Sequence, residues 1–384
     1  MSYRIPFNKP YLTGKEAHYM YDAVQTGKIS GNGKYTRKCQ SFFEDRFSIK
    51  KCLLTTSCTD ALEMAAILID IKPDDEVIMP SFTFVSTANA FILRGAKIVF
   101  ADSEKENPGL DVETIESLIT DKTKAIVPVH YAGVACNMDK ILELARSHNL
   151  YVIEDAAQAV DSYYIDKNGS KLPLGSIGDL GTFSFHETKN IISGEGGMLA
   201  VNNPNLIERA EIVWEKGTNR SAFFRGETDK YGWKDIGSSY LPSDIIAAFL
   251  WAQLENLEAI QTKRLSIWNH YYSGLRNWAT KNSINFPVIP DFATNNAHNF
   301  YLICQSLKQR SSLINHLKKD GILSVFHYLS LHSSDYFAAK HDGRELPNSD
   351  RFSNTLLRLP FYFEMSEAEQ KDVIERLVSC PCTK

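Results

Sequence analysis

The chain has 384 residues, of which 43% are hydrophobic and 23% are charged, and these ordinary globular values exclude a collagen-like, low-complexity or wholly disordered protein. Its 42 basic and 46 acidic residues give a net charge of -4 without a long basic run, so nucleic acid is not an expected partner. The sequence has neither an apolar signal segment at its start nor an apolar stretch long enough to cross a membrane.

The cysteines bear on location and on metal binding. Seven of them, an odd number scattered along the chain, indicate reduced thiols, and we therefore expect a cytoplasmic protein. A Cys-Pro-Cys tail at 380–382 has no nearby histidine or second cysteine pair, so we predict no metal site.

Between about residues 50 and 200, short apolar runs alternate with stretches that have helical spacing. Most of these runs are continuously apolar, which is typical of strands covered on both faces. The pattern predicts an α/β fold with a mostly parallel sheet. The predicted strands lie at 52–54, 77–79, 97–100, 125–129, 151–153, 182–185 and 198–201.

The alternation of apolar runs with stretches of helical spacing ends after about residue 202. A helix is predicted at 208–214, a long polar and aromatic loop at 219–233, and an apolar helix at 243–257 with Ser243 as its N-cap. A helix at 260–275 is expected to cross into a second, small α/β unit built from 300–305, 313–317, 322–326 and 368–377. We therefore predict a large domain at 1–257, with an N-terminal arm at 1–30, and a small C-terminal domain at 258–384.

Ligands of an open parallel sheet bind beyond the carboxyl ends of its strands, and two strand ends here carry charged residues. Asp155 and Gln158 follow the 151–153 strand, where the carboxylate either caps a helix or faces a cation. Lys189 follows the 182–185 strand, close to a glycine-rich turn at 194–197. A lysine is usually a surface residue, but a desolvated one forms Schiff bases with carbonyls.

Two further strand ends are rich in hydroxyl groups. The segment TTSCTD at 55–60 leads from a strand into a helix and suits a phosphate, although it is not a Walker loop, and no G-x-G-x-x-G motif for NAD follows any strand. Phe84 lies in the turn PSFTFVST at 80–87 and either packs in the core or offers a flat surface to a ring. A phosphate seat, a ring surface, a carboxylate and a lysine together are what pyridoxal phosphate requires.

Three segments carry a family resemblance: VIEDAAQ at 152–158, SFHETKN with GEGG close behind at 184–197, and PSFTFVST at 80–87. In this order and spacing the chain resembles the DegT/DnrJ/EryC1/StrS sugar aminotransferases over essentially its whole length. The resemblance implies the fold-type I architecture of pyridoxal phosphate enzymes. It also implies Lys189 as the Schiff-base lysine, Asp155 as the partner of the ring nitrogen, Gln158 at the ring hydroxyl, Phe84 stacked on the ring, and Cys58, Thr59 and Ser184 at the phosphate.

Three positions depart from the family pattern. Most relatives have glycine in place of Cys58 and a small residue in place of Asp60, whose charge is unfavourable beside a phosphate unless the side chain points away. Where relatives use Asn-Tyr-Arg to reach the neighbouring subunit's phosphate, this chain has Ser-Tyr-Leu at 239–241, so Ser239 is the implied contact. The resemblance further implies a homodimer with shared active sites.

The likeness is greatest to the branch that aminates C4 of dTDP-4-keto-6-deoxy-D-glucose. That reaction gives dTDP-4-amino-4,6-dideoxy-D-galactose for enterobacterial common antigen or related surface polysaccharides, with L-glutamate as the expected amino donor. C3 amination, the gluco epimer, a UDP sugar and a non-catalytic nucleotide-sugar binder are the alternatives. Lys189 argues against a dehydratase, because dehydrating relatives lack it, and a mere binder is expected to have lost Lys189 or Asp155.

The expected substrate contacts are less specific. Lys216 and Arg220 either meet a pyrophosphate or the donor's carboxylate, or belong to a solvated loop. Tyr35 ends the glycine-containing segment GNGKY at 31–35, which is either a flexible lip or an ordinary turn. His327 and Tyr328 end a predicted strand of the small domain, where the histidine either contacts the sugar or is structural.

Overall fold

A mixed sheet of seven strands forms the centre of the computed structural model, which describes residues 3–381. The strands of the protein are β1 (Lys51–Thr55), β2 (Glu76–Pro80), β3 (Lys97–Ala101), β4 (Thr123–Ile126), β5 (Tyr151–Asp155), β6 (Tyr163–Ile165), β7 (Lys171–Pro173), β8 (Leu180–Ser184), β9 (Gly197–Val201), β10 (Tyr301–Ile303) and β11 (Leu356–Arg358). The helices are α1 (Glu16–Gln25), α2 (Lys34–Phe47), α3 (Cys58–Leu68), α4 (Val85–Ile92), α5 (Val112–Ile115), α6 (Met138–His148), α7 (Ile207–Trp214), α8 (Arg220–Phe224), α9 (Asp244–Leu254), α10 (Leu257–Lys281), α11 (Leu307–Lys319), α12 (Pro347–Thr355) and α13 (Glu367–Val378).

The central sheet has the strand order β1-β9-β8-β5-β4-β2-β3. All of its strands run in one direction except β9, which is antiparallel to both of its neighbours. Every residue of β8 and β9 is buried, as expected of strands covered on both faces. The predicted α/β fold with a mostly parallel sheet is confirmed.

Two apolar cores cover the two faces of this sheet, because successive side chains of a strand point to opposite sides. In β9, Met198 faces the core that includes α2 and α9, whereas Leu199 faces the core that includes α3 and α7. Ser243 accepts a hydrogen bond from Ile246 N (3.4 Å) and caps α9, as predicted. The helices fix the sheet from both sides and leave its carboxyl edge free for a site.

The C-terminal part has its own apolar core. The first turns of α10 pack with the central sheet through Leu257 and Ile260, and its later turns pack in the C-terminal core through Ile267 and Trp268. A small antiparallel sheet of β10 and β11 completes this part. Ile5 also belongs to the C-terminal core, so the N-terminal arm contacts it directly. The domain boundary at 257/258 stays a prediction.

Two segments differ from the predictions. Residues 322–326 form no strand, because they pair only through single bridges, from Ile322 to Ile5 and from Val325 to Arg358. The polar loop at 219–233 is not all loop, since α8 lies within it. Among residues 3–381, no helix combines the length and apolar character needed to cross a membrane.

The cysteines mostly follow expectation. In the described part of the chain, the free thiols are those of Cys39, Cys52, Cys58, Cys136 and Cys304. Cys380 is disulfide-bonded, so the prediction of reduced thiols is wrong for this residue. Cys382 lies outside the described residues, and the described part contains no group of three or more metal-ligating side chains.

Candidate active site

The four strand ends singled out from the sequence meet at the carboxyl edge of the sheet. They follow β1, β2, β5 and β8, and all of them line one cavity of about 480 Å³. Its walls include Cys58, Thr59, Phe84, Asp155, Gln158, Ser184, Lys189, His327 and Tyr328. The C-terminal part closes the cavity with His298, His327, Tyr328 and Arg358.

The predicted phosphate seat lies at the N-terminus of α3 and borders the cavity. Ser57 caps the helix by accepting a hydrogen bond from Asp60 N (3.0 Å), and Thr59 Oγ1 donates to Ser86 Oγ (2.9 Å). The Asp60 carboxylate accepts a hydrogen bond from Thr56 and does not line the cavity, so its charge points away from the seat. A side chain at Gly197 would place its Cβ 2.3 Å from Cys58 N, which shows how closely β9 supports this turn.

Asp155 ends β5 inside the cavity and is buried. Its Oδ2 accepts a hydrogen bond from Thr87 Oγ1 (2.7 Å), and its Oδ1 accepts one from Ala157 N (3.2 Å). No helix begins at residues 155–158, so the alternative of a helix cap is wrong. The carboxylate is therefore fixed by two donors and still borders the cavity.

Phe84 and Gln158 line the same cavity as this carboxylate. The Phe84 side chain is 54% exposed, so core packing is not its role. Gln158 Oε1 accepts a hydrogen bond from Ala132 N (2.7 Å), which turns its Nε2 toward Tyr328 Oη (3.2 Å). Gln158 therefore presents a hydrogen-bond donor to the cavity, which suits a ring oxygen.

Lys189 brings an amine to the cavity wall. The pKa of its amine is lowered to about 8, chiefly by burial and also by the nearby Arg358 charge, while Cys58 and Asp155 act in the opposite direction. Among residues 3–381, no hydrogen bond or ion pair holds Lys189 Nζ. A lysine that loses its proton near neutral pH is a nucleophile for an aldehyde.

His298 lies beside Lys189 and escaped the sequence analysis. Asn190 Nδ2 donates to Asn296 O and Gln261 Oε1 (2.9 Å each), so Asn190 Oδ1 must face His298 Nδ1 (3.0 Å). His298 therefore donates from Nδ1 and keeps a lone pair on Nε2. Burial, together with the Lys189 charge, holds the pKa of this imidazole well below its usual range.

Arg358 and Thr87 also escaped the sequence analysis. The signal for Arg358 was a single charge in the apolar segment LLRLP at 356–360. Thr87 offered no signal, because one hydroxyl among the many at 80–87 does not stand out.

Four predicted site residues lie away from the cavity of this subunit. Tyr35 is 2% exposed within α2, and its hydroxyl donates to Asp22 Oδ2 (2.7 Å), so it is no flexible lip. Lys216, Arg220 and Ser239 are exposed and line no part of the cavity. A role for any of these three in a neighbouring subunit's site stays a prediction.

The residues present fit pyridoxal phosphate. Helix α3 offers its N-terminal N–H groups to a phosphate, Asp155 offers a fixed carboxylate, Phe84 offers a ring, and Lys189 offers an amine with no partner in the described part of the chain. These groups come from separate strand ends and border the same space. The arrangement suits a flat, phosphorylated aldehyde with a basic ring nitrogen.

Solved structures share this architecture. The aminotransferase from Psychrobacter cryohalolentis superposes with a TM-score of 0.89, at 26% identity and 96% coverage of each chain. The Streptococcus pneumoniae protein Spr1654, solved in PLP and PMP forms, superposes with TM-scores of 0.87 and 0.88, at 25% identity and 99% coverage of each chain. The protein is thus a fold-type I aminotransferase that depends on pyridoxal phosphate.

The sequence comparison is more specific. Residues 10–378 match the DegT/DnrJ/EryC1/StrS aminotransferase family. GDP-perosamine synthase from Caulobacter vibrioides is 33% identical over 384 residues (97% of each chain), and the spore coat polysaccharide biosynthesis protein SpsC from Bacillus subtilis is 31% identical over 380 residues (97% of this chain, 95% of SpsC). The chain belongs to this family, as its motifs predicted, and is a sugar aminotransferase.

Proposed function

We propose that the enzyme transfers the amino group of L-glutamate to C4 of dTDP-4-keto-6-deoxy-D-glucose and produces dTDP-4-amino-4,6-dideoxy-D-galactose for a surface polysaccharide. The observation that carries the aminotransferase part is the meeting of Lys189 and Asp155 in one cavity of about 480 Å³. The choice of sugar rests on the likeness of segments 57–59, 216–220 and 237–240 to the branch that aminates this sugar. GDP-perosamine synthase among the relatives supports a sugar nucleotide as the class of substrate.

Each residue then has a role that follows from its position. Bound pyridoxal phosphate supplies the electron sink for the carbanion on the substrate. Lys189 Nζ would move the proton on and off the reacting carbon, and its pKa of about 8 suits both directions. Asp155, fixed by Thr87, would hold the proton of the cofactor's ring nitrogen. Gln158 Nε2 would donate to a ring oxygen, and Phe84 would offer its ring to one face of the cofactor.

A homodimer with shared sites belongs to this proposal. The loop at 219–240 carries exposed aromatic side chains, among them Trp233 (84% exposed) and Phe224 (69%), which are unfavourable in water. Arg220 and Ser239 lie on this loop, and Lys216 shortly precedes it. In this proposal Ser239 contacts the neighbouring subunit's cofactor phosphate, and Lys216 and Arg220 meet a pyrophosphate or the donor's carboxylate. The five free thiols among residues 3–381 support a cytoplasmic location. Sedimentation velocity tests the dimer, and a monomer that remains fully active would contradict shared sites.

The reaction is tested by product analysis. Purified holoenzyme with L-glutamate is incubated with a panel of dTDP-, UDP- and GDP-linked 3-keto and 4-keto sugars. Mass spectrometry identifies the aminated product, and NMR of the new amino carbon gives its position and epimer. We expect amination of the dTDP-4-keto sugar in the galacto configuration. The proposed substrate and product would be wrong if the enzyme made a C3 amine or a gluco product, or preferred another nucleotide. The absence of turnover with every sugar would favour a binding protein.

The role of Lys189 is tested separately. Borohydride reduction of the holoenzyme should attach the cofactor to the peptide that contains Lys189, and Lys189→Ala should lose both the covalent label and turnover. Lys216→Ala serves as the control, because this exposed lysine should leave the label in place. A label on any other peptide would overturn the assignment.

A further inference from the structure

His298 presents an unpaired hydrogen-bond acceptor to the active-site cavity. The residue lines the same cavity as Lys189 and is 3% exposed. Its Nδ1 donates the ring proton to Asn190 Oδ1 (3.0 Å), so Nε2 of the neutral imidazole can only accept. No hydrogen bond among residues 3–381 uses this Nε2 atom. A buried acceptor in this state is unfavourable unless a donor joins it.

Several contacts fix the orientation of this imidazole. Asn190 is itself oriented, because its Nδ2 donates to Asn296 O (2.9 Å). Asn296 Oδ1 accepts a hydrogen bond from His298 N (3.0 Å), and Arg264 Nη2 donates to His298 O (2.6 Å). The backbone of His298 is therefore held from two sides. Turning the ring over would break its bond to Asn190, so Nε2 stays directed away from Asn190.

Lys189 is the donor that matches this acceptor. Its Nζ has no hydrogen-bond or ion-pair partner in the described part of the chain, and an ammonium group can only donate. Lys189 directly precedes Asn190, so the residue that orients the imidazole is the chain neighbour of the amine. The charge of Lys189 acts on the pKa of His298, which places the two groups close together. The flexible four-carbon stem of a lysine lets Nζ turn to a fixed acceptor.

The other titratable groups that act on Lys189 are poorer acceptors for its ammonium. These groups are Cys58, Asp155 and Arg358. The Asp155 carboxylate already accepts two hydrogen bonds and has the ring nitrogen as its proposed partner. Burial raises the pKa of the Cys58 thiol, so its sulfur stays protonated and accepts only weakly. Arg358 is a cation and accepts nothing.

We propose that His298 is a positioning residue, whose Nε2 accepts a hydrogen bond from the Lys189 ammonium and directs Nζ within the cavity. This inference rests on the role of Lys189 in the proposed function. Burial and the charges of Lys189, Arg358 and Arg264 hold the pKa of His298 well below its usual range. The imidazole therefore orients the ammonium without taking its proton, and the proton stays on Lys189 for transfer.

The test uses two variants that separate the two nitrogens of the imidazole. His298→Asn keeps a donor near the Nδ1 position for Asn190 but has no acceptor at the Nε2 position. His298→Gln keeps an acceptor near the Nε2 position but loses the donor to Asn190. His148→Asn is the control, because this exposed histidine ends α6 and does not line the cavity.

The first measurement is made on the apoenzyme. Pyridoxal phosphate is added at a series of pH values, and the rate at which the visible band returns levels off above the pKa of Lys189. In His298→Asn we expect the levelling pH to fall by about one unit, because the ammonium loses an acceptor and its charged form is disfavoured. In His298→Gln and His148→Asn the levelling pH should stay within about 0.5 unit of wild type.

The second measurement uses the loaded enzyme with L-glutamate in single turnovers. A misdirected Nζ slows proton transfer, so the rate in His298→Asn should fall about 10- to 100-fold. The isotope effect with L-glutamate deuterated at Cα should also be larger in His298→Asn than in wild type, because proton transfer then limits the rate. His298→Gln should retain most of the rate.

The variants also distinguish a positioning role from a purely structural one. If the bond to Asn190 is what matters, His298→Gln will lose more rate than His298→Asn, and that order would overturn the proposal. An unchanged levelling pH in a His298→Asn protein with a normal melting temperature would overturn it as well, and a weaker affinity for the sugar nucleotide alone would assign Nε2 to a substrate hydroxyl. A borohydride label away from Lys189 would refute the proposed function, whereas a label on Lys189 with an unchanged levelling pH would refute only the role of His298.

Discussion

Thr87 Oγ1 donates a hydrogen bond of 2.7 Å to Asp155 Oδ2, and Thr83 Oγ1 in turn lies 2.9 Å from Thr87 Oγ1. This chain of hydroxyl groups runs from α4 and its preceding turn to the end of β5. It orients the one carboxylate that the proposed mechanism needs at the ring nitrogen. The relationship joins residues 68 positions apart in the sequence.

Asp155→Asn should bind pyridoxal phosphate yet transaminate on the order of 100-fold more slowly, because a neutral amide does not hold the proton on the ring nitrogen. Thr87→Val should transaminate about tenfold more slowly, since it removes a hydrogen bond to a charged group. Thr83→Val is the matched control and should stay close to wild type, because the Thr87 bond to Asp155 survives. Single-turnover rates measure these effects, and a normal rate in Asp155→Asn would leave the carboxylate a structural role only.

The lowered pKa of Lys189 predicts how reloading of the apoenzyme depends on pH. Only the neutral amine attacks the cofactor's aldehyde, and its fraction rises with pH until the pKa of about 8 is passed. The rate at which the visible band returns should therefore rise about tenfold per pH unit below 8 and level off above it. N-acetyl-lysine amide, which has an ordinary amine, is the comparison. Its rate of reaction with the cofactor's aldehyde should continue to rise above pH 8. A plateau for the enzyme only near pH 10 would contradict the assignment.

The orientation of Gln158 makes a third prediction. Because its Oε1 is held by Ala132 N, a glutamate at this position would present an acceptor where Nε2 now donates. Gln158→Glu should therefore bind the cofactor about 10- to 100-fold more weakly, which fluorescence titration of the apoenzyme measures. Tyr328→Phe removes only the hydroxyl that Nε2 contacts and should have a smaller effect. Unchanged cofactor affinity in Gln158→Glu would place the ring oxygen elsewhere.

A stability prediction concerns Asp244, which is buried at the start of α9. Its carboxylate accepts hydrogen bonds from Tyr35 N (3.2 Å), Thr36 N (2.8 Å) and Thr36 Oγ1 (2.8 Å), and so caps the start of α2. Asp244→Ala should lower the free energy of unfolding by about 2–4 kcal/mol, because three buried donors lose their acceptor.

Ser243→Ala is the comparison for that substitution. It removes a single N-cap hydrogen bond and should cost about 1 kcal/mol. Denaturant unfolding at one protein concentration measures both values. Equal losses in the two variants would show that Asp244 contributes no more than an ordinary cap.

The sequence by itself determined the sheet and the part of the site that the sheet creates. Apolar runs followed by Cys58, Phe84, Asp155 and Lys189 predicted four strand ends, and the structure brings all four to one cavity. This inference works because the carboxyl ends of parallel strands lie at one edge of the sheet. Residues at separate strand ends can therefore be predicted to be neighbours even when the loop conformations are unknown. The family motifs lie in these same segments, and the family is confirmed.

Only the tertiary structure decided the environment of each side chain. It shows Phe84 exposed in the cavity wall, no helix at Asp155, and Tyr35 buried in α2. It also brings Arg358 to Lys189 across 169 positions of sequence (358 minus 189). The burial, hydrogen-bond partners and pKa of a side chain depend on contacts between segments that are distant in the sequence. The periodicity of a single segment does not predict those contacts.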